Sequence, residues 1–129
     1  MKLPKENELI KGEIADYYYD TDGILYSYSK DVLRTVKNIS ENIALVKQIT
    51  GNKVVPLLIY LCDAPIPSRE TRKFSTEQLP KVYKAMAMVS QPGLSHLIMR
   101  ILFRFTPPPI PAKSFTDDEK AKAWLQQFL

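Results

Sequence analysis

Val54 to Leu61 (VVPLLIYL) is almost wholly apolar and rich in β-branched or bulky side chains, and no helical or two-residue alternation marks a solvent side. A run of this length and kind fits a strand covered on both faces at the centre of a sheet, with Pro56 confined to its beginning. A covered central strand calls for helices on the sheet, so the chain is expected to be α/β. Extended to Cys62, the run is far short of the ~20 residues that span a bilayer, so no membrane insertion is expected.

The flanking segments supply the remaining layers. Glu13 to Lys30 reads as two short strands around Asp20-Thr21-Asp22-Gly23, in which Gly23 can take the positive φ of a hairpin turn. Tyr17, Tyr18, Tyr19, Tyr26 and Tyr28 crowd this hairpin, and with one face buried some of them should be exposed. From Asp31 to Thr50, Val32, Val36, Ile39, Ile43 and Val46 step by four and three, which predicts a helix packed on the sheet and ended by Gly51 as a left-handed cap. Ser68 to Gln78 reads as a short helical stretch capped by Ser68 and closed by Pro80. Val82 to Val89 alternates as a further strand. Ser90 then caps a helix with Pro92 in its first turn and an apolar face over 94–105.

At the C-terminus, the prolines at 107–109 and 111 favour an extended run, and Ala112 to Phe115 can pair as a short strand. Thr116 with Glu119 predicts a capping box, and Ala121, Trp124, Leu125 and Phe128 an apolar helical stripe that presses on the sheet. With 129 residues there is room for one core, so residues 1–12 are read as a flexible lead-in and 13–129 as a single domain.

Several function classes drop out on composition. The net charge of +4 comes from scattered Lys and Arg, without the basic blocks that follow a phosphate backbone, so no nucleic acid is expected. A single Cys62 allows no internal disulfide, and one His with one Cys cannot assemble a typical zinc site; no metal and no cofactor are expected. The N-terminal MKLPKENELIKGE lacks a signal-peptide pattern, which predicts a cytoplasmic protein, and the sequon Asn38-Ile39-Ser40 falls inside a predicted helix. Asp20, Asp22 and Asp117 to Glu119 have turn and dipole roles that account for them, and Cys62 reads as a small core residue. No enzyme is expected.

The segments Ser68-Arg69-Glu70-Thr71-Arg72 and Pro111 to Leu125, with the element order, resemble the STAS-like, or SpoIIAA-like, proteins named for bacterial anti-sigma-factor antagonists, over roughly residues 13–129. The resemblance implies a SpoIIAA-like fold, with an N-terminal hairpin leading into a mixed sheet of about five strands and about four packed helices. It also implies a non-enzymatic domain acting by protein–protein interaction in bacterial regulation. In the better-known antagonists a Ser after the central strand is phosphorylated to switch off partner binding, and Ser68 stands at a comparable place. The plain reading of Ser68 is a helix cap.

Two further clusters invite a site. His96, Arg100 and Arg104 step by four along one helix and could grip an anion, joined by Arg69 and Arg72 if the loops converge; otherwise they are a solvated face. Exposed hairpin tyrosines suit an interface with an unknown protein partner, or with a second copy as a homodimer. The alternative is a small apolar or amphipathic ligand in a cleft between helix 94–105 and the sheet, with Met86, Met88, Phe103 and Phe105 on its walls. Partner binding predicts an exposed tyrosine-rich or apolar patch, and ligand binding a cavity of a few hundred Å3.

Overall fold

The computed structural model describes residues 9–91 and 108–129. Its centre is a six-stranded sheet in sequential order: β1 (Ile10–Lys11), β2 (Ala15–Tyr19), β3 (Leu25–Ser29), β4 (Val55–Tyr60), β5 (Tyr83–Val89) and β6 (Ala112–Phe115). β1, β2 and β3 pair antiparallel, while β3, β4, β5 and β6 run parallel. The expected count of about five strands is corrected by β1, which pairs Ile10 with Tyr17 and Lys11 with Asp16, so the sheet begins inside the segment read as a lead-in.

Three α-helices lie among the described residues: α1 (Val36–Thr50), α2 (Arg69–Val82) and α3 (Asp118–Leu125), the last followed by a 3-10 turn over Gln126–Phe128. The fourth expected helix, over 94–105, falls outside the described residues. Leu25, Leu57, Met86 and Met88 project from one face of the sheet to meet Ile43, Val46 and Ile49 of α1 and Leu79 of α2. Tyr26, Leu58, Ala85 and Ala87 project from the other to meet Ala121, Trp124 and Leu125 of α3. Leu58 and Leu125 are wholly buried, each contributing roughly 2 kcal/mol of transfer free energy.

The central strand is as its composition predicts. Pro56 follows Val55, where the register to β5 shifts, and β3 begins to pair with β4 only at Leu57, so the missing N–H costs no bond to β3.

Several boundaries differ from expectation for local reasons. α1 starts at Val36 rather than Asp31, because Thr35 and Asn38 close a capping box: Asn38 N donates to Thr35 Oγ1 (3.1 Å) and Thr35 N to Asn38 Oδ1 (2.8 Å). Upstream, Arg34 holds the carbonyls of Lys30 and Val32 and so keeps 30–34 in a loop. Gly51 ends α1 at φ 65, as expected. α2 runs through Pro80 to Val82. A proline so near the C-terminus removes one N–H from the last turn, and the Tyr83 N–H restores a closing bond to Leu79 O. α3 is capped by Asp117, whose Oδ1 accepts from Glu119 N at 2.9 Å, and not by Thr116: the helix begins at Asp118, which puts the extended Asp117 at the N-cap position.

The hairpin forms as expected. Asp20 Oδ1 accepts from Asp22 N and Ile24 N, and Gly23 takes φ 96. Its tyrosines, however, are not exposed. Tyr17 and Tyr26 are buried and Tyr18, Tyr19 and Tyr28 half-buried, because both faces of the sheet are covered and the residues divide between them. Nor is the hairpin a free edge, since β1 pairs with β2 on one side and β4 with β3 on the other.

Candidate functional site

Small residues leave space on the face under α1 and α2. Ala15, Ser27 and Ser29 project there beside Leu57 and Ile59, and the side chains of the two helices do not close the gap. The result is a cleft of about 260 Å3. Its walls are mostly apolar: Leu57, Ile59, Leu61 and Met86 from the sheet side, Ile39 and Ile43 from α1, Leu79 from α2. Pro65 and the 60 % exposed Ile66 form part of its rim, on the loop that follows the carboxyl end of β4. Ligands of open α/β sheets collect at such strand ends.

A few polar groups break this apolar lining. The Tyr17 hydroxyl meets the Asn42 carboxamide, 2.9 Å from Oδ1 and 2.6 Å from Nδ2. Burial pushes the Tyr17 hydroxyl above its ordinary pKa, with Asn42, Ser27 and Tyr83 pulling the other way. Tyr83, buried beside it, is raised well above its ordinary pKa by burial and by Tyr17. Both phenols are therefore neutral hydrogen-bonding groups at physiological pH.

Arg34 reaches the cleft from the loop between β3 and α1. Its Nη1 donates to the carbonyls of Lys30 and Val32, each at 2.6 Å, and its Nη2 to that of Ile14 at 2.9 Å. Burial lowers its pKa, with Cys62, Tyr17 and Asp31 opposing, but a guanidinium stays charged at neutral pH. Arg72, on the first turn of α2, donates Nη1 to Pro67 O at 2.9 Å and also lines the cleft. Cys62 completes this end as a half-buried free thiol.

The residues singled out in the sequence part company here. Arg72 reaches the cleft, while Arg69 is exposed and does not line it. His96, Arg100 and Arg104, with Phe103 and Phe105, lie outside the described residues, and with them the cleft expected beside helix 94–105. Met86 lines the present cleft, and Met88 is buried in the core on the same face. Ser68 is the N-cap of α2: its Oγ accepts from Thr71 N at 3.2 Å and donates to Thr71 Oγ1 at 2.9 Å. Tyr17 is a cleft residue, whereas Tyr18, Tyr26 and Tyr28 belong to the opposite face. There Tyr28 stacks on Tyr60 at 4.9 Å, and the Tyr60 hydroxyl donates to Asp118 Oδ2 at 2.9 Å. Among the described residues, no group of three or more His, Cys, Asp or Glu is placed to hold a metal ion.

Arg34 and Asn42 were missed by sequence reasoning. The available signal was the alternation Leu25-Tyr26-Ser27-Tyr28-Ser29, which puts small hydroxyls on one face of a central strand where large apolar groups would fill a core.

Sheet order, the hairpin and the two-sided helix cover define a SpoIIAA-like α/β protein. The fold is shared with the crystal structure of an uncharacterized protein of the DUF3478 family, with a SpoIIAA-like fold, from Shewanella loihica PV-4. The two are similar at a TM-score of 0.60 and 22 % identity, over 86 % of this chain and 91 % of that one. Within this fold the chain belongs to the family described as Domain of unknown function (DUF7793), whose model matches residues 17–129. No curated protein matches it. No helix among the described residues is long and apolar enough to cross a membrane.

Proposed function

We propose that this domain holds a small apolar or amphipathic molecule in the cleft under α1 and α2, without chemical turnover. The observation behind this reading is the cleft itself. Interiors normally pack to crystal-like density, and about 260 Å3 of largely apolar space beside a few convergent polar groups has the form of a small-molecule site. The polar groups on its walls also suit holding rather than transfer. Apart from the Cys62 thiol they are hydroxyls, a carboxamide and two guanidiniums, none of which exchanges a proton readily near neutral pH, and among the described residues no histidine, aspartate or glutamate lines the cleft to serve the thiol as a base.

Cys62 is the only cysteine in the chain and lines the cleft, so its alkylation by iodoacetamide reports occupancy. Saturating octanol or octanoate is expected to slow alkylation severalfold, and Ile43→Phe, which fills the cleft, to remove that protection. An alkylation rate indifferent to both probes would sink the reading.

A second reading, contact with a protein partner in regulation or with another copy of the chain, has one observation in its favour. Leu33, Val36 and Ile66 are exposed apolar residues on or beside the loops that follow β3 and β4. The hairpin tyrosines are buried or half-buried and offer no exposed patch in its support.

A further inference from the structure

The cleft also carries positive charge that an apolar ligand leaves unused. Arg34 commits three N–H groups to carbonyl oxygens, which leaves one on Nε and one on Nη2 of the five a guanidinium offers. Arg72 commits one, to Pro67 O. Among the described residues, neither has a carboxylate within ion-pair distance; the ion pairs found there are those of Lys11 and Lys30 with Asp16 and of Lys122 with Asp22. Carbonyl dipoles orient a guanidinium without neutralising it, and the exposed Asp31 acts on Arg34 only from beyond ion-pair distance, so a half-buried charge is left partly uncompensated, which is unfavourable.

Both guanidiniums border the same loop. Arg34 lines the cleft together with Cys62 at its start, and Arg72 bonds to Pro67 near its end. The apolar walls extend from there past Ile59 and Leu57 to Met86, and Ser75 and Thr76 of α2 stand along the lining as further hydroxyl donors.

We infer that the occupant is an amphipathic anion: an oxyanion head, carboxylate or phosphate, held at the Arg34 and Arg72 end, with an apolar body along Leu57, Ile59 and Met86. This rests on the ligand-binding reading and adds the sign and the direction of the ligand. Planar guanidinium forks match the two oxygens of such heads, and charge-assisted bonds in a poorly hydrated cleft are stronger than neutral ones.

The test is calorimetric titration of the full chain with octanoate, octyl phosphate, octanol and octylammonium, which share a body and differ in the head. At least one anion is expected to bind about tenfold or more tightly than octanol, the worth of one good charge-assisted bond, and octylammonium more weakly than either. Which anion leads tells a carboxylate head from a phosphate. Arg72→Gln is expected to lower the affinity for the anions about tenfold and to leave octanol unchanged. Arg34→Gln should do the same, but Arg34 also ties three carbonyls together and its variant can fail to fold, so Arg72 carries the decision. Equal binding of octanol and both anions overturns the charge inference and leaves the cleft reading standing. Failure of all four to bind overturns the cleft reading, and this inference with it.

Discussion

Asp16 shows how one residue can secure the start of the sheet. It sits on β2 with Lys30 Nζ at 2.9 Å and Lys11 Nζ at 3.4 Å, and it accepts from Gly12 N at 3.3 Å. Lys30 also donates to Gly12 O at 2.6 Å, so the clasp ties the residue after β1 to the end of β3. Burial works against the charge of Asp16, but the bonds from Lys30, Gly12 and Lys11 outweigh it and hold the carboxyl below the ordinary 3.8. A depressed folded value gives stability that is present above the unfolded value and lost as pH falls through the folded one. Asp16→Asn is therefore expected to cost about 1 kcal/mol at neutral pH and progressively less in acid. Urea titrations at neutral and acid pH check this. An equal loss at both would mean that the charge is not what the clasp uses.

At the scale of elements, the helices are set by their caps. Ser68 accepts from Thr71 N at the start of α2, and its hydroxyl also pairs with Thr71 Oγ1. Ser68→Ala is expected to lower stability by about 1 kcal/mol, whereas Ser68→Asp, which keeps an acceptor and adds charge favoured at a helix N-terminus, should cost much less. Denaturant midpoints decide between the two, and an Asp variant as weak as the Ala variant would refute the cap account. Ser68 is exposed, so a phosphate there would meet the same favourable dipole. Pro80 teaches the complementary lesson. A proline stops a helix only where its missing bond cannot be forgone, and within a turn of the end α2 forgoes it.

At the scale of the whole molecule, the sheet is covered on both faces: α1 and α2 leave the cleft on one, and α3 seals the other with aromatic contacts. Phe115, Trp124 and Phe128 meet in tilted and edge-on pairs at 5.9 and 5.0 Å. The exposed large apolar residues among those described come from β1 (Ile10), the loop into α1 and its first residue (Leu33, Val36), the residue before β4 (Val54), the loop after β4 (Ile66) and the last residue (Leu129). An obligate dimer needs a contiguous apolar interface on the order of 2,000 Å2 or more. Sedimentation velocity over rising concentration is accordingly expected to show one unchanging species. A dimer dissolved by Leu33→Ser together with Ile66→Ser would instead move the weight to the contact reading.

The sequence by itself determined what depends on neighbours along the chain. A continuous apolar run became the central strand β4, Gly23 and Gly51 took the positive φ that turn and cap require, and the stripe from Ala121 to Leu125 became the buried face of α3. These are readable because periodicity and turn chemistry act over a few residues. Helix starts were not: α1 begins after Thr35 rather than at Asp31, and Asp117 displaced Thr116 as the cap of α3, since which carboxylate or hydroxyl reaches a free N–H depends on where the chain enters the helix. Only the tertiary structure decided that five hairpin tyrosines would divide between two covered faces. It also decided that Arg34, Asn42, Cys62 and Arg72, separated by up to 38 positions along the chain, would meet on one cleft. Nothing local to any of these residues encodes that meeting, because it is the parallel stacking of β3 on β4 and the packing of α1 against α2 that bring them together.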